Sequence, residues 1–136
     1  HRNVVRYRLD LAGRAVSDKT EVLNLRGEPG FPDGMVEIGD GTVIIAYYNP
    51  EPVPAGRAVR YDLKTGNAVE EWLTPGSPRV TCPLLVEHEG RVRLVLTTAT
   101  EGMPAEMRET CPNAGDLFWA ETDLERLPTS EFVRLG

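Results

Sequence analysis

The sequence has few cysteines, histidines and aromatic residues, and no long apolar run. Its 136 residues include 2 Cys and 2 His, too few for a disulfide framework or for a zinc site with the usual spacing. With only His1 and His88 available and no Gly-x-Ser-x-Gly motif, a serine-type triad has no support. The longest apolar stretch, Thr42–Tyr48, is far shorter than the roughly 18 residues that span a bilayer. These absences exclude a disulfide-stabilised module, a zinc finger and a transmembrane helix within these residues.

Positive charge is also in deficit. The 15 Lys and Arg residues against 21 Asp and Glu give a net charge of −6, so no overall field attracts nucleic acid or an anionic membrane. We therefore expect neither as a partner. The first residues, 1–4, contain no start Met, basic region or apolar leader, so we expect the chain to begin within a longer protein. Two unpaired cysteines and no leader favour a cytoplasmic location.

Glycine, proline and internal repeats dominate what is present. The sequence has 13 Gly and 11 Pro, which favours many turns. Arg6–Val16 recurs as Arg60–Val69, and Gly39–Ile45 recurs as His88–Leu94, at offsets between 49 and 54 residues. Periods of this length with several short strands are typical of propeller blades. The repeats predict an all-β fold, a β-propeller to which this chain supplies about two and a half blades.

The whole chain, 1–136, is predicted to be the C-terminal part of a single propeller domain. It divides into a partial blade at 1–26, holding the last two strands of that blade, a full blade at 31–75 and a next blade at 80–136. The strands predicted in the last two blades are Met35–Ile38, Thr42–Tyr48, Ala58–Leu63, Ala68–Leu73, Val80–Val86, Arg91–Thr98, Asp116–Thr122 and Phe132–Leu135. Glu101–Glu109 is either a short helix or a loop. Trp72 and Trp119 are expected to pack between blades, since aromatic rings bury large areas.

A closed propeller needs at least four blades of roughly 40 residues. The chain therefore needs a companion to cover its outer blade faces, because an exposed apolar sheet is unfavourable in water. A covalent remainder, a companion chain and swapped copies would all serve, and we favour an N-terminal half of the propeller in the same protein or in a companion chain.

Pro32-Asp33-Gly34 lies directly before the first strand of the full blade, at the mouth of the predicted central channel. Taken alone it is a common turn tripeptide. In the order of the chain it belongs to a series of short motifs: Phe31–Met35, Ala46–Asn49, Val59–Asp62, Thr81–Pro83, Thr97–Met103 and Ala114–Phe118. This ordered series resembles the gluconolactonase and regucalcin (senescence marker protein) family of six-bladed propellers, over what would be the C-terminal half of that fold.

The resemblance implies hydrolysis of a small sugar lactone with one divalent metal ion, Ca²⁺, Zn²⁺, Mn²⁺ or Mg²⁺, at the mouth. It implies that Asp33 is both metal ligand and catalytic base, while the other ligands and the substrate-holding residues belong to the N-terminal half. Cys82 follows Asp33 by one repeat offset of 49 residues. This makes Cys82 a candidate substrate-binding residue that lines the pocket, although a buried structural thiol is the interpretation that we favour.

The sequence also departs from the family pattern. Asn49 is followed by Pro50–Gly56 instead of a pair of glycines, which makes this loop longer and stiffer and bears on substrate size or lid behaviour. Thr81–Leu84 lacks the Phe-Gly-Gly that the family tends to carry next. Two other functions stay open: a non-catalytic calcium- or ligand-binding propeller, and a scaffold propeller in which Pro32-Asp33-Gly34 is only a turn.

Overall fold

The computed structural model describes residues 2–10, 12 and 15–129, and in that part of the chain the strands form three antiparallel sheets. The first sheet pairs β1 (Asn3–Asp10) with β2 (Ala15–Asn24). The second contains β3 (Phe31–Glu37), β4 (Thr42–Tyr48), β5 (Ala55–Asp62) and β6 (Ala68–Pro75) in that order. The third contains β7 (Val80–His88), β8 (Arg91–Thr98) and β9 (Leu117–Glu121), with helix α1 (Ala105–Thr110) between β8 and β9.

The sequence pattern located most of these strands correctly. β4 and β8 have the predicted bounds, while β5 begins earlier and β6 and β7 end later than predicted. Gly39 and Gly41 both have φ of +87° in the β3–β4 turn, a backbone conformation that favours glycine. Glu101–Glu109 contains a helix and is not only a loop. The predicted strand Phe132–Leu135 lies outside the described residues, and no helix within them is long and apolar enough to cross a membrane.

The start of β3 differs from the prediction. The strand begins at Phe31, four residues before the predicted Met35, so Asp33 and Gly34 lie inside it. Pro32 pairs with Tyr47 and Met35 pairs with Ile45, so the two residues between them form a β-bulge. Gly34 is not among the glycines with positive φ. This tripeptide therefore belongs to a strand with a bulge and does not form a simple turn before the strand.

Strand β4 is buried on both faces, as its apolar sequence predicted. Ile44 and Ala46 face the third sheet, and Val43, Ile45 and Tyr47 face the first. The core between the second and third sheets consists of Ile38, Ile44, Ala46, Ala58, Val80, Leu85, Val92, Leu94 and Leu96. The core between the first and second sheets consists of Leu23, Leu25, Val43, Ile45, Tyr47, Val59 and Tyr61. Successive sheets thus stack face to face, with β4 at the centre of the stack.

The outer face of the third sheet is apolar and exposed in this chain. Leu84, Leu117 and Trp119 are 57%, 68% and 62% exposed, and the Arg93 guanidinium lies 4.6 Å from the centre of the Trp119 ring. Trp72 packs against the core between the second and third sheets as predicted. Trp119 does not lie between described sheets, because β9 turns it to the face that no described sheet covers.

Candidate functional site

β3 of the second sheet and β7 of the third sheet begin at the same end of the molecule, which we call the mouth end. Phe31 at the start of β3 pairs with Tyr48 at the end of β4, and Val80 at the start of β7 pairs with Thr98 at the end of β8. In antiparallel sheets, strand starts and the ends of their neighbours meet on one edge. Asp33 therefore lies at the mouth end of the second sheet.

The Asp33 carboxylate is exposed and without a partner. Among residues 2–10, 12 and 15–129, none forms a hydrogen bond or ion pair with its side chain. Partial burial raises the pKa of Asp33 above its ordinary value of 3.8, because the charged form loses solvation with no cation to compensate. Asp33 is also one of the two residues of the β3 bulge, and β-bulges are common beside active sites. A free, partly desolvated carboxylate of this kind can bind a cation or accept a proton.

The backbones of β3 and β7 come into close contact beside Asp33. A Cβ atom at Gly34 would lie 2.8 Å from the Cα atom and 3.0 Å from the Sγ atom of Cys82, closer than real Cβ contacts allow. Only glycine permits this approach. The second predicted site residue, Cys82, is therefore next to the residue that follows Asp33.

Strand β7 has an irregularity of its own at this contact. Val80 pairs with Thr98 and Cys82 pairs with Thr97, so Thr81 is an extra residue. The Thr81 and Thr97 hydroxyl oxygens are 2.6 Å apart, and the Cys82 N–H donates to the Thr97 Oγ1 atom at 3.1 Å. Bulges in β3 and β7 thus lie side by side.

Cys82 and the other cysteine have different surroundings. Cys82 is a free, exposed thiol, whereas Cys111 is free and buried with Met103 and Met107. Within the described residues Cys82 is thus not buried, and both interpretations of this thiol, pocket-lining or structural, stay predictions.

The described residues fit one ligand position of a metal site. Carboxylate oxygens suit hard cations such as Ca²⁺ and Mg²⁺, which take about six to eight oxygen ligands. In the part of the chain that the structure describes, no three His, Cys, Asp or Glu side chains come together. Asp33 can therefore hold a divalent cation only together with ligands from outside these residues.

Sequence reasoning missed Arg79, which is 5% exposed at the mouth end. Its Nη1 atom donates to the Glu101 carbonyl oxygen at 2.6 Å, and its Nη2 atom lies 3.7 Å from the Met107 Sδ atom. No motif marks this residue, since the helix that it contacts begins 26 positions later. Burial of a cation here depends on the tertiary structure, which local patterns do not record.

Comparison with curated sequences gives regucalcins as relatives. Regucalcin of Gallus gallus is 27% identical over 109 residues, which are 80% of this chain and 34% of that protein. Regucalcin of Homo sapiens is 28% identical over 109 residues with the same coverage. The chain therefore spans about a third of the length of the curated relatives that it matches.

Solved structures share the fold. A calcium-binding protein, regucalcin from Agrobacterium tumefaciens, matches 98% of this chain and 43% of its own with a TM-score of 0.73 at 23% identity. A luciferin-regenerating enzyme matches 95% of this chain and 40% of its own with a TM-score of 0.67 at 15% identity. Both likenesses confirm the all-β propeller fold.

One family description agrees with the motif series, the relatives and the fold. The sequence profile described as SMP-30/Gluconolactonase/LRE-like region matches residues 1–100. That range includes the bulge with Asp33, the contact between Gly34 and Cys82, and all strands of the second sheet. The chain therefore belongs to the SMP-30/gluconolactonase/LRE-like family.

Proposed function

We propose that this chain provides the catalytic carboxylate of a divalent-metal-dependent sugar lactonase. The observation that carries the proposal is the free Asp33 carboxylate at the bulge of β3, with its raised pKa and no partner among the described residues. A family that includes gluconolactonases supports the reaction class. The activity belongs to the assembled propeller, because the other ligands come from outside this chain.

Hydrolysis requires a water to attack the lactone carbonyl carbon. A bound divalent cation would polarise that carbonyl and stabilise the charge on its oxygen. Asp33 accepts the proton from the attacking water as the new C–O bond forms. The ring C–O bond then breaks, and the leaving ring oxygen takes up the proton that Asp33 had accepted, which gives the open hydroxy acid and restores the Asp33 carboxylate.

The substrate is a small sugar lactone, and Cys82 lines its pocket beside Asp33. The exposed thiol and the short Gly34 contact support this position. We also propose that an N-terminal half of the propeller, in the same protein or in a companion chain, covers the open face of the third sheet. A cytoplasmic location fits the two free cysteines.

Substitution of Asp33 in the assembled protein tests the proposal. Asp33→Asn should lower metal-dependent hydrolysis of an aldonolactone by about 100-fold or more, since general base catalysis contributes about that much. Glu37→Gln, an exposed carboxyl at the other end of the same strand, is the matched control and should keep the wild-type rate. Equal rates in Asp33→Asn and wild type would overturn the assignment.

A calcium-binding propeller without turnover is the second candidate. It is favoured by the neighbour described as a calcium-binding protein. Calorimetric Ca²⁺ binding that is lost in Asp33→Asn, together with no hydrolysis of any aldonolactone by the wild type, would select this function over the lactonase.

A further inference from the structure

Residues 76–79 connect the second sheet to the third and bond to both loops at the mouth end. One loop, residues 49–54, joins β4 to β5, and we call it the proline loop because it contains Pro50, Pro52 and Pro54. The other, residues 99–116, joins β8 to β9 and contains α1, and we call it the helical segment. Ser77 and Pro78 are fully buried between them. We call residues 76–79 the connector.

Backbone hydrogen bonds attach the proline loop to the connector. They run from the Asn49 N–H to the Pro78 carbonyl at 3.1 Å, from the Gly56 N–H to the Ser77 carbonyl at 3.1 Å, and from the Gly76 N–H to the Pro54 carbonyl at 2.8 Å. A Cβ atom at Gly56 would overlap the Ser77 carbonyl oxygen, so this attachment requires glycine. Proline also fixes φ along the loop. The proline loop is thus held at both ends and stiff between them.

The helical segment is attached to the same connector. The bonds run from the Asn113 N–H to the Gly76 carbonyl at 3.1 Å, from the Ala99 N–H to the Arg79 carbonyl at 3.0 Å, and from the Arg79 Nη1 atom to the Glu101 carbonyl at 2.6 Å. Met103, Met107 and Cys111 form a small apolar cluster inside the segment. The Arg79 side chain reaches this cluster through Met107.

Burial of the Arg79 side chain at this position is energetically unfavourable. None of the described residues supplies a carboxylate to pair with it, and its Nε atom is buried without a hydrogen-bond partner. Burial of an unpaired charge costs free energy that an apolar side chain would not. Its planar fork instead lets one side chain hold a carbonyl and a sulfur at fixed positions. This arrangement points to a positioning role.

The connector is also close to Asp33. Arg79 forms an antiparallel bridge with Tyr48, and its guanidinium lies 5.3 Å from the centre of the Tyr48 ring. Tyr48 pairs in turn with Phe31, two residues before Asp33. A displacement of Arg79 would therefore displace Tyr48, and through the Tyr48–Phe31 pair the start of β3 as well.

We infer that Arg79 is a positioning residue: its side chain fixes the helical segment to the connector, to which backbone hydrogen bonds attach the proline loop. The two loops then form one rigid rim, and this rim limits the site to small lactones. This inference rests on the proposed function for its substrate, and on the described contacts alone for the rim. A rim held on both sides of the connector cannot open for a lactone with a long acyl chain.

Hydrogen exchange on the assembled protein tests the rim without any assay of activity. Arg79→Gln should raise amide exchange in the helical segment and in the proline loop by about tenfold, since it removes a hydrogen bond from a charged donor. Met107→Ala removes the sulfur that the Arg79 guanidinium contacts and should raise amide exchange in the same two loops. Arg60→Gln is the control, because Arg60 is a half-buried arginine of β5 that pairs with Asp40 and Asp123 at the opposite end. Faster exchange in the helical segment alone would overturn the coupling.

Kinetics then tests the size limit. The ratio of kcat/KM for an unsubstituted aldonolactone to that for a long-chain acyl lactone should fall about tenfold in Arg79→Gln, mainly through KM for the bulky substrate, and recover in part in Arg79→Lys. An unchanged ratio with faster exchange would overturn the size limit while leaving the rim. If the wild type hydrolyses neither lactone, the proposed function and the size limit fail together, and the exchange result still decides whether the rim exists.

Discussion

Asp33 loses solvation in the folded chain and gains no partner from the described residues. Folding therefore raises its pKa, so the folded protein binds this proton more tightly than the unfolded chain does. Protonated Asp33 therefore stabilises the folded protein relative to ionised Asp33. This contribution to the free energy of unfolding is fully present below the ordinary pKa of 3.8. It is lost as the pH rises through the raised pKa that Asp33 has in the folded protein. In the metal-free protein, ionised Asp33 is thus a source of instability at neutral pH, as functional groups often are.

Asp33→Asn should for this reason stabilise the metal-free protein at pH 7 and leave it unchanged near pH 3. Urea midpoints should be measured with chelator at several pH values. The difference in midpoint between the variant and the wild type should increase as the pH rises above the ordinary pKa of an aspartate. Asp62→Asn provides a contrast of opposite sign, because hydrogen bonds from the Thr65 and Lys64 N–H groups lower the pKa of Asp62, so this variant should lose stability relative to the wild type as the pH rises. A variant less stable than wild type at pH 7 would mean that a cation-independent interaction stabilises ionised Asp33.

Gly34 permits the contact between two strands, and a methyl group there should separate them. Gly34→Ala puts a carbon 2.8 Å from the Cys82 Cα atom, an overlap with backbone that rotation of a side chain cannot relieve. We expect a loss of about 1 to 3 kcal/mol in the free energy of unfolding, measured by urea titration.

Gly27 gives the matched control for this substitution. A Cβ atom at Gly27 would have no neighbour within 4 Å, so Gly27→Ala should change stability by less than about 0.5 kcal/mol. Equal effects at the two glycines would show that β3 and β7 do not approach this closely.

At the scale of elements, local patterns located the strands because the β-branched runs and the glycine turns are local signals. β4 illustrates this, since Thr42–Tyr48 has both the composition and the bounds of a buried strand. The tripeptide at Asp33 misled for the same reason: its local signal is a turn, while its structure depends on contact with a strand 49 positions away. The repeat offset, a non-local signal, did place Asp33 and Cys82 in corresponding positions.

Burial of β4 on both faces should make its side chains the most sensitive to truncation. Ile44 is fully buried between the second and third sheets, so Ile44→Ala should lower the free energy of unfolding by about 2 to 5 kcal/mol. Val69, a β-branched residue of β6 that is 55% exposed, gives a control that should lose about 0.5 kcal/mol or less when changed to Ala. Chemical denaturation of both variants measures the contrast. Similar losses would mean that β4 is not the centre of the stack.

At the scale of the whole molecule, one face of the third sheet is apolar and no described sheet covers it. Leu84, Leu117 and Trp119 expose apolar surface on one side of the sheet, while the opposite side packs against the second sheet. The first and second sheets stack face to face, and so do the second and third. A further sheet that stacked on the third in the same way would bury this face. The curated relatives are about three times longer than the part that this chain matches, enough to supply further sheets.

Trp119 should consequently be buried in the assembled protein, although it is 62% exposed in this chain. Trp119→Ser there should lower stability by about 3 to 5 kcal/mol, as truncation of a buried aromatic does. Its removal should also take away a blue-shifted component of the tryptophan emission. Val69→Ser, at a position with 55% exposure on the outermost strand of the second sheet, should be nearly neutral because no described sheet packs against that strand edge. If both substitutions were neutral and the lost emission were that of a solvated indole, the third sheet would face water and the ring of blades would not close at β9.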